Sequence, residues 1–314
     1  MPASRAARPI PIAIIGAGKI ARDQHVPALA ADSAFQLVAA VDPYAGLDGV
    51  PGFASLAALF ADGPRVEAVA ICTPPSARYA IAREALAAGK AVMLEKPPCA
   101  NIGEAERLVE QAKAAGAALF AAWHSRFAPA VAPARAWLEG RGIGHVEIVW
   151  REDVRRWHPG QDWIFDADGL GVFDPGINAL SIATAILPAF DLAGAELAIP
   201  ENRQAPIAAR LDFAFHGGGA MSADFDFRQT GPQTWDIRVE ADDGGQLALS
   251  LGGAALCLDG KAVALAPSRE YPALYEHFAG LIAEGRAEVD LAPLRCVAEA
   301  FMIGRRTRAP SFEF

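Results

Sequence analysis

Alternation is what most limits the folds open to this chain. IPIAIIG (10–16), FQLVAAVD (35–42), VEAVAICT (66–73), KAVMLE (90–95) and AALFAAWH (117–124) are apolar over strand length. Near-continuous apolar runs of this kind are what strands buried on both faces require. Residues 19–30, 76–89 and 101–116 instead carry apolar side chains at helical spacing. Ser76 and Asn101 are predicted N-caps, with Glu104 three residues after the second, and Gly89 and Gly116 are predicted stops. Strand and helix joined by short connections predict a doubly wound parallel sheet with right-handed crossovers.

In such a sheet ligands bind beyond the carboxyl ends of the strands. Those ends here carry Gly16-Ala17-Gly18, Asp42, Thr73-Pro74-Pro75, Glu95-Lys96-Pro97 and Trp123-His124. Residues 16–21 fit GxGxxA: Gly16 for a tight turn, Gly18 for approach of a pyrophosphate, Ala21 for close helix–strand packing. Phosphates would rest on free N–H groups at the start of the next helix, around Lys19 and Ile20. Asp42 ends the second strand, where a carboxylate accepts bonds from ribose hydroxyls and repels a 2′-phosphate. Pro43 and Tyr44 follow it, with no arginine there to hold that phosphate. The chain therefore reads as a dinucleotide binder preferring NAD, with NADP disfavoured by Asp42. Thr73, Pro74, Pro75, Glu95 and Lys96, at the ends of the third and fourth strands, lie where this topology expects a ligand.

With 314 residues the chain suits two domains. A formal charge of −9 and no basic run argue against nucleic acid or an anionic membrane as partner. No apolar segment is long enough to span a bilayer, and MPASRAARP reads as a frayed tail. Cys72, Cys99, Cys257 and Cys296 form no CxxC pair, so no metal site is expected; they read as small buried residues of a reducing, cytoplasmic compartment. After Gly144 the pattern becomes one of strands: 145–152, 207–215, 219–228, 234–242 and 246–253, separated by Gly-Gly and Asp-Gly turns. This predicts an open, mostly antiparallel sheet, interrupted by a helix at 177–186 and followed by helices at 271–284 and 291–305. The division is 1–124 for a dinucleotide-binding domain and 125–314 for a substrate and oligomerisation domain. The last helix is expected to pack back on the first domain. A large sheet with one uncovered face favours a homodimer.

GAGKIARDQHVPAL, CTPP, EKPP and DPGINALSI resemble, over essentially the whole chain, the glucose–fructose oxidoreductase and inositol dehydrogenase (Gfo/Idh/MocA) family. Within it, residues 150–182 are similar to bacterial L-arabinose and D-galactose 1-dehydrogenases. The resemblance implies a Rossmann domain, a C-terminal sheet domain and a nicotinamide between them. It implies that Lys96 lies beside nicotinamide and substrate, and that the Lys96–Pro97 peptide is cis. It places Asp174 and a residue four positions on at the site. The family's usual histidine there is Asn178 in this chain. Asparagine cannot act as a base but bonds hydroxyls both ways, so the base is Asp174 or Lys96. Asp174-Pro175 also reads as an N-cap and first helical turn. Glu152 is placed in the first strand of the second domain, facing sugar hydroxyls. Trp157, His158 and Trp163 either face a pyranose, with Trp163 over the nicotinamide, or pack structurally. His124 either borders the site or is structural, and His25 reads as structural. The expected activity is oxidation of the anomeric carbon of L-arabinose, D-galactose or D-fucose to a lactone. The other readings are an inositol or sugar-acid dehydrogenase and a non-catalytic dinucleotide-binding regulator.

Overall fold

A computed structural model describes residues 8–314; residues 1–7 of the expected N-terminal tail lie outside the described residues. Along the chain run β1 (Ile10–Ile15), α1 (Val26–Ala31), β2 (Phe35–Val41), β3 (Gly52–Phe53), α2 (Leu56–Asp62), β4 (Ala68–Ile71), α3 (Pro75–Ala87), β5 (Ala91–Glu95), α4 (Ile102–Ala115) and β6 (Leu119–Ala122). There follow α5 (Val131–Leu138), β7 (Ile143–Arg151), α6 (Val154–Trp157), α7 (Phe173–Ile186), β8 (Phe190–Pro200), β9 (Ala208–Phe215), β10 (Ala220–Asp226) and β11 (Thr234–Ala241). The remainder holds β12 (Gln246–Ser250), β13 (Ala255–Leu258), β14 (Lys261–Ala262), α8 (Glu270–Glu284), β15 (Ala287–Glu288), α9 (Ala292–Ile303) and β16 (Arg305–Ala309).

The chain divides into two compact units. The first holds the residues up to His124 together with Glu270–Leu291. Its seven strands are all parallel, in the order β15-β6-β5-β4-β1-β2-β3. β4 and β5 are buried at every position, as their unbroken apolar sequence requires. Asn101 caps α4, its Oδ1 accepting from Glu104 N at 3.0 Å, and Gly116 stops the helix at φ +59°. Ser76 is not a cap. α3 starts one residue earlier, at Pro75, where the ring sets φ and the missing N–H is no loss.

The first unit recruits α8 and β15 from late in the sequence, so residues 270–291 do not belong with the rest of 125–314. The reason is the apolar stripe Tyr271, Leu274, Tyr275, Phe278, Leu281, which is buried. Phe278 stacks with Phe35 at 5.9 Å and with Phe120 at 6.3 Å, sealing the first sheet. β15 then pairs with β6. The last helix differs from expectation. α9 falls in the second unit, on α7 and β8, with Phe301 against Phe173 at 5.4 Å.

The second unit is a mixed, mostly antiparallel sheet of nine strands, ordered β14-β13-β12-β11-β7-β10-β9-β8-β16. Only β7–β10 and β8–β16 are parallel pairs. Alternation puts Ala209, Leu211, Phe213 and Phe215 of β9 inside and Arg210 and Asp212 outside. The buried α7 starts at Phe173, four residues before the expected boundary, and a Cβ at Gly176 would lie 2.8 Å from the Phe225 ring of β10. Glycine lets this helix approach the sheet that closely.

Gly176→Ala should therefore lower stability by about 1–3 kcal/mol, because fully buried Phe225 has nowhere to move. Gly280→Ala, on the exposed face of α8 with nothing within 4 Å, should raise it by about 0.5–1 kcal/mol. Urea denaturation of both variants checks the contrast.

Candidate functional site

In the first unit the unusual residues gather at one end of the parallel sheet. Gly16 has φ +94°, and a Cβ there would meet Thr73 N at 2.9 Å, so only glycine lets β1 and β4 end side by side. A Cβ at Gly18 would meet nothing within 4 Å. The turn leaves open space where a pyrophosphate needs it. Thr73 Oγ1 is buried without a hydrogen-bond partner among the described residues. Lys19 and Ile20 open the following helix, with Lys19 paired to Asp23 on its exposed surface. Pro74 and Pro75 turn the chain from β4 into α3. These features fit a dinucleotide.

The Asp42 carboxylate accepts from Ala17 N at 2.9 Å, Tyr44 N at 2.8 Å and Ala45 N at 3.0 Å. Partial burial would raise its pKa, yet these bonds and the nearby Arg22 hold it below the ordinary value. No arginine follows Asp42 directly, but Arg22 lies near its carboxylate. It comes from the helix after the glycine turn and donates to Ala17 O at 3.1 Å and Gly46 O at 2.6 Å.

Glu95 ends β5 and is buried. Its Oε1 lies 3.0 Å from His25 Nε2 and accepts from the Tyr271 hydroxyl at 2.8 Å. Its Oε2 accepts from the Lys96 backbone N–H at 2.9 Å. His25 Nδ1 lies 2.7 Å from the Tyr275 hydroxyl. Burial opposes charge on both members of the pair. His25 nonetheless has its pKa raised, by Cys72, Tyr275 and Glu95 around it. Glu95 is lowered to about 2, chiefly by the bond and charge of His25, with His124 and Arg78 adding positive field. Arg78, itself buried, donates to Thr73 O at 2.7 Å and Glu95 O at 2.6 Å, and also to Pro97 O. The Lys96–Pro97 peptide is cis. His124 sits at the end of β6, its Nδ1 2.7 Å from Glu270 Oε2 and its ring stacked on Tyr271 at 5.5 Å.

The second unit brings together another set. Asp174 lies in the first turn of α7 and does not cap it; the cap position is Val172. A carboxylate there complements the helix dipole. Asn178 follows one turn later on the same face. His158 Nε2 lies 3.5 Å from Asp174 Oδ2 and 3.8 Å from Glu152 Oε1. Glu152 stands one residue beyond β7 rather than within it, because pairing with β11 stops at Arg151. Its Oε2 accepts from Trp235 Nε1 at 2.9 Å. Trp157 packs edge-on to Trp235 at 5.4 Å. Trp163 lies in a short helical turn, Asp162–Phe165, and is 38% exposed. Two nearly buried carboxylates, an imidazole and an amide form a set suited to sugar hydroxyls. Sequence reasoning missed Trp235, Tyr271 and Tyr275. Their only signal is aromatic spacing within a strand and a helix, which looks the same as core packing.

Comparison with known proteins gives the relationship. The family model described as oxidoreductase family, NAD-binding Rossmann fold, matches residues 10–122. Galactose 1-dehydrogenase of Pseudomonas fluorescens is 46% identical over 308 residues, covering 97% of this chain and 99% of that one. The chain belongs to the Gfo/Idh/MocA oxidoreductase family. Among solved Gfo/Idh/MocA-like structures, D-galactose-1-dehydrogenase of Rhizobium etli matches with a TM-score of 0.94 and 50% identity, over 99% of this chain and 100% of that one. A 3-ketoreductase from Actinomadura kijaniata, solved with NADP, shares the fold at a TM-score of 0.82 and 18% identity, over 96% and 100%. The family's second sheet and its NAD-binding Rossmann unit are thus both present. No helix among the described residues is long and apolar enough to cross a membrane.

Glu95 also sets a pH dependence. Its folded pKa lies below the unfolded value, so its stabilisation is complete above about pH 4.3 and is lost as pH falls toward 2. Glu95→Gln should flatten that acid limb in thermal melts across pH 2–5. At pH 7 the variant should be less stable by about 3–5 kcal/mol, having left His25 without its carboxylate.

Proposed function

We propose that this family member is an aldose 1-dehydrogenase, oxidising the anomeric carbon of D-galactose, L-arabinose or D-fucose to the aldonolactone, with NAD preferred over NADP. The observation that carries the reading is end-to-end likeness to proteins named galactose 1-dehydrogenase. The Glu152–His158–Asp174 cluster supports it. These three sugars share one configuration over ring carbons 2 to 4, so one set of hydroxyl partners serves all of them.

The nicotinamide, when bound, supplies the hydride acceptor; the residues of the chain orient the sugar and handle its proton. Gly16, Gly18, Lys19 and Ile20 form the phosphate cradle, and Asp42 the ribose end. Thr73, Pro74, Pro75, Glu95 and Trp163 complete the cofactor-side set. Asp42 favours NAD because its carboxylate is held ionised by three backbone N–H groups. The donors of Arg22 are already turned toward two carbonyls. Glu152, His158 and Asn178 bind hydroxyls, His124 and Trp157 border them, and Trp235 holds Glu152 in place. The proton of the C1 hydroxyl goes to Asp174 or to Lys96, since Asn178 cannot take it. A homodimer belongs to the same reading, though the exposed face of β7, β10 and β11 carries ion pairs such as Arg151–Asp224 and Arg238–Glu147 rather than an apolar patch.

Initial rates of NADH and NADPH formation with D-galactose, L-arabinose, D-xylose, D-glucose and myo-inositol test the assignment. Galactose or arabinose with NAD should be fastest. Turnover with inositol alone would replace this reading with a polyol dehydrogenase. Lys96→Ala and Asp174→Ala should each lower kcat/KM by about 10²–10⁴-fold, with NADH affinity retained in fluorescence titration. Asp42→Ser should shift the coenzyme ratio toward NADP.

A further inference from the structure

Lys96 projects from a backbone that is held on both sides. Its own N–H is fixed by Glu95 Oε2, and the carbonyls of its two neighbours, Glu95 and Pro97, are fixed by buried Arg78. The Glu95 carboxylate is fixed in turn from behind, by His25 and by the hydroxyl of Tyr271, and His25 by Tyr275. Glu95, Arg78, His25, Tyr271 and Tyr275 are all buried. His25 reaches it from a π-helical turn, Ala21–His25, between the glycine turn and α1. Such wide turns concentrate at functional sites.

We infer that Tyr271, Tyr275 and His25 are positioning residues that set the direction of Lys96 through the Glu95 carboxylate. The inference rests on Lys96 taking part in the sugar oxidation proposed above. A structural role alone would need only shape at these positions. The geometry here is a sequence of directed polar contacts, each ending one step nearer the Lys96 backbone. Each contact has a partner that would be stranded by its loss, and stranded buried groups move or recruit other partners.

Tyr271→Phe removes one hydroxyl and keeps the ring that stacks on His124. It should lower kcat with galactose about 10- to 100-fold, the size of effect a small misplacement produces. KM and NADH affinity should change less than about twofold, within the scatter of a single weak contact. Tyr275→Phe, one contact further out, should act in the same direction with a smaller loss. A second readout does not need turnover. The chain has five lysines, at 19, 90, 96, 113 and 261, so ¹³C-dimethylated protein gives a resolvable NMR spectrum in which Lys96→Arg assigns the Lys96 signal. Tyr271→Phe should shift or broaden that signal and leave the other four in place. A folded Tyr271→Phe with wild-type kcat, or with an unmoved Lys96 resonance, overturns the inference. If the wild type oxidises no aldose, the substrate reading fails by itself, and the NMR comparison alone decides whether these residues position Lys96. Should Tyr271→Phe not fold, Tyr275→Phe measured the same two ways decides it.

Discussion

A carboxylate buried at the end of a parallel strand is the constraint on which the first unit turns. Removing an ionised carboxyl from water costs several kcal/mol even after relaxation, unless close partners replace the water. Glu95 has five such partners or fields: His25, Tyr271, the Lys96 N–H, His124 and Arg78. They come from positions 25, 78, 96, 124 and 271 of the sequence. The strand end is stable only when the glycine-turn helix, α3 and α8 are all in place around it. This explains why α8 belongs to the first unit although some 145 residues separate it from β6. Its apolar stripe covers the sheet, and its two tyrosines complete the polar network under Lys96.

The same constraint marks how far the sequence could be read. The five long strands of the first sheet, the capping of α4 by Asn101 and β7, β9, β10, β11 and β12 of the second sheet follow from local patterns, because burial on two faces or one leaves a periodic trace, whereas β8, β13 and β16 are absent from the expected strands. The short β3, β15 and β14 leave no such trace, since two residues carry no period. The assignment of α8 and α9 could not be read locally. Both are amphipathic helices in one stretch of chain, and which sheet each covers depends on aromatic partners at Phe35 and Phe120 for one and Phe173 for the other. At the site, Gly16, Asp42 and Lys96 stood out as unusual residues at strand ends of an alternating pattern, and Asp174 through the family resemblance of DPGINALSI. His25 and Tyr271 did not, because a histidine and a tyrosine on helix faces are ordinary. Only the fold reveals that they converge on one carboxylate.

The two units manage charge differently. In the first, the His25–Glu95 pair is buried and held with directed bonds. In the second, the exposed face of the sheet carries cross-strand pairs, with Arg151 meeting Asp224 through two parallel bonds at 3.0 and 2.7 Å. Half-exposed pairs of this kind contribute about 1 kcal/mol or less each and are screened by salt. Their effect is on register. Shifting β10 by one residue against β7 would set Asp224 inside and Phe225 outside. The ladder therefore fixes which side chains β10 sends toward α7, and with them the seat of Gly176 and Asp174.

The replacement of histidine by Asn178 acquires a physical meaning on that seat. A histidine four residues after Asp174 would be bound to the same helix face, its distance from the carboxylate fixed by the helix. In this chain the imidazole beside Asp174 is His158, carried by the segment after α6 and placed between Asp174 and Glu152. At 3.5 and 3.8 Å from the two carboxylates, the ring is within ion-pair range of both and beyond good hydrogen-bond range of either. A hydroxyl group can insert between such groups and bond to each. A helix-borne histidine would leave less room. The amide at 178 then offers a donor and an acceptor where the ring of a histidine would have stood. The set gains hydrogen-bonding capacity for a polyhydroxylated ring and loses one possible base. On the aldose 1-dehydrogenase reading proposed above, the proton of the reacting hydroxyl then leaves through Asp174 or Lys96.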